Sequence, residues 1–167
     1  HKDIKGISTT GLGLVIDPSR PAARARNKKV ADRLGFDIDN LSSNQTKLVV
    51  GEVTNDVADE LGNELGGEFH NLKNESQALI IDAKYNTGTT FTALVKALTK
   101  FENKPTKTAL QKVIKESRRI DKKGGKEIPI KGLDNRVAKL MFGLDFLEPT
   151  EENVKFINKS LGNGKAS

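Results

Sequence analysis

An apolar residue recurs at steps of three or four positions between Ser43 and Leu65. The members of this stripe are Leu48, Val49, Val53, Val57, Leu61 and Leu65. Because that period matches one face of an α-helix, it predicts one long helix with a buried stripe. An acidic row repeats every four residues in the same stretch and is predicted to line the solvent side of the helix; it consists of Glu52, Asp56, Glu60 and Glu64.

Helical periods also fill most of the remaining chain. Further helices are predicted from Pro21 to Leu34, Asn74 to Tyr85, Phe91 to the residue before Pro105, Lys107 to Arg119, Asp134 to Phe142 and Thr150 to Leu161. The helix beginning at Asn74 is dense enough in apolar residues to be the buried central helix, and Asp121 to Gly132 is predicted to be a loop.

Residues 1–16 differ from the rest of the chain, because they contain no helical period. Short β-branched or apolar pieces are separated there by Gly6, Gly11 and Gly13, a pattern that predicts a small β-hairpin. The fold class predicted from the whole pattern is α+β, mainly helical, with about seven helices and the strands segregated at one end.

Composition narrows the possible classes of protein. The 167 residues have the length of one domain and include no cysteine, which excludes disulfides and thiolate metal sites. His70 has no second histidine nearby, so no metal site is predicted. No apolar stretch approaches the roughly 20 residues of a membrane span, so none is expected, and the first residues do not resemble a signal peptide.

The chain is basic, with a net charge of +6, and the excess is uneven. Between Lys100 and Lys139 the sequence contains thirteen Lys and Arg residues but only five Asp and Glu residues. A solvated helix face is the ordinary interpretation of such a run, but it also predicts attraction to a polyanion: nucleic acid, an anionic membrane or a bacterial wall polymer. Aromatic residues make up only 5%, which disfavours nucleic acid because few rings are present to stack on bases.

The segment from His1 to Leu14 contains a spaced motif. Its matched positions are Asp3, Gly6, Thr9, Gly11 and Gly13. In this spacing the segment resembles the signature of phage-type lysozymes, with His1 at a position that is usually tyrosine and Leu14 at one that is usually histidine. The resemblance continues more loosely at Asn86-Thr87-Gly88 with Phe91, and from Gly124 to Arg136.

The resemblance implies a lysozyme-like two-lobed domain over residues 1–167, with a hairpin lobe and following helix at 1–35 and a helical lobe at 43–161. It also implies cleavage of peptidoglycan between N-acetylmuramic acid and N-acetylglucosamine by acid and base catalysis, without a cofactor. Asp3 would activate the attacking water and Thr9 would hold that water. Substrate would be bound by Gly11, Leu12, Asn86 and Arg136.

Inverting hydrolysis of this kind needs a second carboxyl group as general acid, roughly 6.5–9.5 Å from the first. In the family this is a glutamate several residues before the aspartate, and this sequence starts two residues before Asp3. Three explanations stay open: an upstream segment or separate chain supplies the acid, the domain serves binding or structure, or another glutamate such as Glu52 or Glu75 substitutes.

The expected partners are bacterial peptidoglycan and, if the protein belongs to a tail device, other phage tail proteins. The expected location is a phage virion or the host cell, with action in the bacterial periplasm or cell wall. Two alternatives belong to other classes: a non-catalytic lysozyme-like structural or wall-binding virion module, and a basic helical protein that binds nucleic acid.

Overall fold

A computed structural model describes residues 21–118, 120–123, 126–129 and 134–162. These ranges form eight helices and one two-stranded sheet. In chain order the elements are α1 Pro21–Arg33, α2 Ser43–Leu65, α3 Gly67–His70, α4 Asn74–Thr87, α5 Thr92–Asn103, α6 Lys107–Ser117, β1 Ile120–Lys123, β2 Lys126–Pro129, α7 Asp134–Gly143 and α8 Glu151–Ser160. The mainly helical fold is confirmed, whereas the hairpin predicted for residues 1–16 lies outside the described residues.

The chain divides into two compact units, His1–Glu60 and Leu61–Ser167, with the boundary inside α2. The lobes expected from the sequence, 1–35 and 43–161, stay a prediction. In the first unit α1 and the beginning of α2 bury an apolar core made of Val30, Ala31, Ile38, Val49, Val53 and Val57. Charged pairs surround this core: Arg24 donates to both carboxylate oxygens of Asp39, at 2.9 and 3.1 Å.

The acidic row of α2 lies at the surface, as predicted, but it is ion-paired. Its four side chains are between 37% and 45% exposed. Within the first unit, Arg33 Nη2 lies 3.3 Å from Glu52 Oε2 and 3.4 Å from Asp56 Oδ1, and Arg26 donates to Glu60. These arginines therefore tie α1 to the surface of α2.

The burial predicted for one member of the apolar stripe is wrong. Leu48 is 55% exposed, whereas Val49, Val53, Val57 and Leu61 are fully buried. The buried residues repeat strictly every four positions, and Leu48 precedes Val49 by one residue, which turns it about 100° around the helix axis from that position. Leu48 thus projects from the side of α2 that the core does not cover.

In the second unit the end of α2 and helices α3 to α8 contribute to a larger core. Its largest fully buried side chains are Leu61, Leu79, Ile80, Leu94, Leu98, Ile114, Met141 and Ile157. Helix α4 buries Ser76, Leu79, Ile80 and Ala83, whereas Ala78 and Ile81 are half-buried, so its place as the central helix stays a prediction. Glu102 of α5 accepts the backbone N–H of Lys73 with both carboxylate oxygens, at 3.0 and 3.1 Å, so a neighbouring helix satisfies a donor at the start of α4.

The loop predicted at Asp121 to Gly132 is wrong over residues 121–123 and 126–129, because these residues lie in the two antiparallel strands β1 and β2. Ile120 pairs with Pro129 and Lys123 pairs with Lys126. The sequence between the strands is Gly124-Gly125, a pair that favours a two-residue hairpin turn. The loop prediction gave weight to glycine and charge, and neither strand has the alternation of apolar and polar residues that would have indicated it.

The ends of several helices follow the predicted residues. Thr150 is confirmed as the cap of α8, because its hydroxyl accepts the backbone N–H of Asn153 at 3.1 Å. Gly35 follows α1 with φ +77°, the left-handed conformation that glycine adopts without a steric cost. Among the described residues, no helix is both long and apolar enough to cross a lipid bilayer.

Candidate functional site

Two of the six site residues predicted from the sequence lie within the described part of the chain. These are Asn86, in the last turn of α4, and Arg136, in the first turn of α7. The other four, Asp3, Thr9, Gly11 and Leu12, lie outside the described residues, so their positions stay predictions.

Asp82 joins the two predicted residues that the structure describes. Its Oδ1 atom accepts a hydrogen bond from Asn86 Nδ2 at 3.1 Å and another from Arg136 Nη2 at 2.5 Å. Asn86 Nδ2 also lies 2.8 Å from the carbonyl oxygen of Asp82. One carboxylate oxygen therefore holds a neutral amide and a guanidinium side by side, although Arg136 is 54 positions from Asp82 in the chain.

This cluster of Asp82, Asn86 and Arg136 lies partly in solvent. The side chains of Asp82 and Arg136 are 22% and 41% exposed, and Asn86 is exposed. The Nε atom of Arg136 is buried and has no hydrogen-bond partner among the described residues, an arrangement that costs free energy for a donor of this kind. The cluster thus places a carboxylate, an amide and a guanidinium group at an accessible surface, and the amide nitrogen of Asn86 is already engaged by Asp82.

The turn after Asn86 is fixed by local hydrogen bonds. Gly88 has φ +75° and its N–H donates to the carbonyl of Lys84 at 2.7 Å, which ends α4. The hydroxyl of Thr87 donates to the carbonyl of Ala83 at 2.7 Å and accepts the N–H of Thr89 at 3.2 Å. The turn that resembles the lysozyme family is therefore a defined helix end, with Asn86 presented just before it.

A second polar network lies after this turn. Thr90 donates its hydroxyl to Glu64 Oε2 at 2.7 Å, and Lys84 Nζ lies 3.1 Å from both Glu64 Oε2 and Thr90 Oγ1. The hydroxyl of Thr90 and then the ammonium of Lys84 hold the pKa of Glu64 below its ordinary value of 4.5. The three side chains connect the end of α2 to the end of α4 and to the segment that follows it.

The lowered pKa of Glu64 predicts a pH-dependent contribution to stability. Because the folded state favours the carboxylate, this contribution is complete above pH 4.5 and is lost as the pH falls through the lower pKa of the folded state. We expect Glu64→Gln to have a lower Tm than the unmodified protein at pH 7, and this difference should shrink towards pH 3. Thermal unfolding followed by circular dichroism over this range would measure it.

The matched control is Glu68→Gln, since Glu68 is exposed and has no hydrogen-bond partner among the described residues. Its Tm should follow that of the unmodified protein at every pH. A Tm difference for Glu64→Gln that stays constant down to pH 3 would contradict the assignment.

The glutamates named as substitutes for the missing general acid have other environments. Glu52 lies in an ion pair with Arg33, and Glu75 is exposed in the first turn of α4. A general acid must hold a proton near neutral pH, and the best placed have a raised pKa. Glu64 does not fit this role, because its pKa is lowered.

The sequence pointed to Asn86 and Arg136 but missed Asp82. A local signal was available, because Asp82 and Asn86 are four residues apart on α4 and such pairs lie next to each other on a helix. No sequence pattern could have placed Arg136 on the same oxygen, since that contact depends on how α7 packs near α4.

Comparisons with known proteins give no relative for this chain. No family model, no curated protein and no solved structure matches it.

Proposed function

We propose that this protein is a peptidoglycan hydrolase of the muramidase type, which cleaves between N-acetylmuramic acid and N-acetylglucosamine without a cofactor. The observation that carries the proposal is the cluster around Asp82. Asn86 and Arg136 were singled out by resemblance to phage-type lysozymes from two distant segments, and they donate to the same carboxylate oxygen. The motif from Asp3 to Gly13 supplies the chemistry of the proposal.

In the proposed mechanism, activation of water, binding of substrate and protonation of the leaving oxygen are carried out by different side chains. The carboxylate of Asp3 removes a proton from the attacking water, and the hydroxyl of Thr9 orients that water. Arg136 binds the glycan or its peptide through guanidinium N–H donors, and Asn86 binds it through its amide oxygen. The proton for the leaving oxygen comes from a carboxylic acid of an upstream segment or separate chain.

The proposed muramidase would act on the bacterial cell wall during phage infection. A muramidase of this resemblance would act in the bacterial periplasm or cell wall, as part of a phage virion or tail or as a protein released in the host cell. Peptidoglycan would be its partner, and other tail proteins would be further partners if it belongs to a virion.

The test is chemical analysis of purified peptidoglycan treated with the full-length protein. A muramidase releases new reducing ends and no new amino groups, because it cuts a glycosidic bond and leaves the peptides intact. Release of amino groups without reducing ends would replace the proposal with a peptide-cleaving activity. Binding to peptidoglycan without any cleavage would favour the non-catalytic wall-binding module.

Asp82→Asn tests the role of the cluster. The substitution keeps the shape of the side chain but removes the charge that holds Arg136, so we expect substrate binding to weaken by roughly tenfold, or about 1.4 kcal/mol. The loss should appear as a higher KM with little change in kcat, because the cluster is proposed to bind substrate and not to transfer protons.

Asp59→Asn is the matched control, since it removes the same charge from an exposed position on α2. It should leave KM unchanged. If Asp82→Asn retains the KM of the unmodified protein, the cluster has no part in substrate binding.

A further inference from the structure

An open groove of about 300 Å³ lies between α6 and α8. It is lined by Thr108, Gln111, Lys112, Lys115, Lys159 and Ser160. Three of these six residues are lysines, and neither a carboxylate nor an aromatic ring is among them. The groove is therefore a concave and strongly positive surface within the second unit.

For two of the three lysines, no ion pair among the described residues links the ammonium group to the rest of the fold. Lys115 and Lys159 are exposed and have no ion-pair partner in the described ranges. Lys112, whose side chain is 61% exposed, pairs with the 28% exposed Glu116 at 2.8 Å, but a pair one helical turn apart on a helix is worth only about 0.3–0.5 kcal/mol. An anionic ligand can thus recruit all three ammonium groups at little cost.

Four basic residues of the first unit show a contrasting pattern, whereas Lys29 and Lys47 of the same unit are exposed. Arg24, Arg26, Lys28 and Arg33 each lie within 3.4 Å of a carboxylate oxygen. Their charges are balanced by carboxylates of the chain itself, in pairs that lie largely at the surface. The lysines of the groove keep their charge available for a partner.

The two helices that line the groove, α6 and α8, pack against each other. Arg118 Nη1 donates to the carbonyl of Leu161 at 2.7 Å, which connects the end of α6 to the end of α8. Ile114 and Ile157, one on each helix, are fully buried. A groove lined by long cationic side chains on two helices that are held together suits a ligand of repeated charges better than a ligand of one exact shape.

We infer that this groove binds the phosphate groups of a flexible phosphodiester polymer that carries no bases, the chemistry of anionic bacterial wall polymers. Lysine ammonium groups bind phosphates as point charges and tolerate variable geometry. The absence of aromatic rings from the lining fits a polymer without bases, because single-stranded nucleic acid is usually bound by stacking on such rings. The inference rests on the proposed function for its choice of a wall polymer, and it would hold the enzyme close to its substrate.

The test measures binding of purified poly(glycerol phosphate) to the full chain by calorimetry at several salt concentrations. We expect the double variant Lys115→Gln with Lys159→Gln to bind at least tenfold more weakly. The slope of log K against log salt should fall by about 1.4, since each neutralised phosphate on a flexible strand contributes roughly 0.7.

The matched control is Lys29→Gln with Lys47→Gln, which removes the same charge from exposed positions of the first unit. Its affinity should change less than twofold. Equal losses in the two double variants would show attraction by net charge alone and would overturn the inference, and so would unchanged binding in the groove variant. Tighter, groove-dependent binding of single-stranded DNA with the same number of phosphates would overturn the choice of polymer.

Failure of the groove and failure of the proposed hydrolase give different results. On peptidoglycan stripped of wall polymer, the groove variant should release reducing ends at the unmodified rate, while on polymer-bearing walls it should be slower. Equal rates on both walls would count against the groove and leave the muramidase intact. Groove-dependent polymer binding by a protein that releases no reducing ends would support the groove and remove the muramidase proposal.

Discussion

Asp3→Asn is expected to lower the rate of reducing-end release from peptidoglycan by roughly 10²- to 10⁴-fold, the range that a positioned general base contributes. An amide has nearly the shape of the carboxylate but does not accept the proton of the attacking water at neutral pH. If Asp3 activates water, the chemical step should slow while binding is retained, so the loss should lie in kcat. Initial rates on purified peptidoglycan would measure it.

A second substitution separates Asp3 from its surroundings. Thr9→Ser keeps the hydroxyl that is proposed to hold the water and should retain most of the activity, whereas Thr9→Ala should lose much of it. Asp59→Asn serves again as the control for removal of one exposed charge. Unchanged turnover in Asp3→Asn would remove this aspartate from the mechanism and leave the proposed muramidase without its general base.

Leu61→Ala is expected to lower the free energy of unfolding by about 2–5 kcal/mol, the range found for a fully buried leucine. Leu61 of α2 is 0% exposed and is among the largest buried side chains. Truncation removes its apolar contacts and leaves a cavity that a close-packed core only partly refills. Urea unfolding followed by circular dichroism would show a lower midpoint.

The same helix offers a matched control for this prediction. Leu48→Ala is the same chemical change, but Leu48 is 55% exposed, and we expect a loss within about 0.5 kcal/mol. Comparison of the two variants cancels the difference in helix propensity between leucine and alanine. Equal losses would contradict the burial that the structure assigns to α2.

Much of the secondary structure could be predicted from local sequence. The period of apolar residues located α2 and α4, and glycine and threonine at the right positions indicated several helix ends. These features depend on neighbours within a few residues, because helical hydrogen bonds and caps join positions three or four apart. The same local reasoning failed at Asp121 to Gly132, where strand pairing decided between a loop and a hairpin.

The sequence alone determined that this chain is mainly helical and basic, and it drew attention to Asn86 and Arg136. Only the tertiary structure decided that Asp82 holds both, that Leu48 faces solvent while Val49 does not, and that Lys115 and Lys159 border one groove. The physical reason is range: periodicity reports which face of a helix is apolar, but contacts between residues as distant as 82 and 136 depend on how whole helices pack.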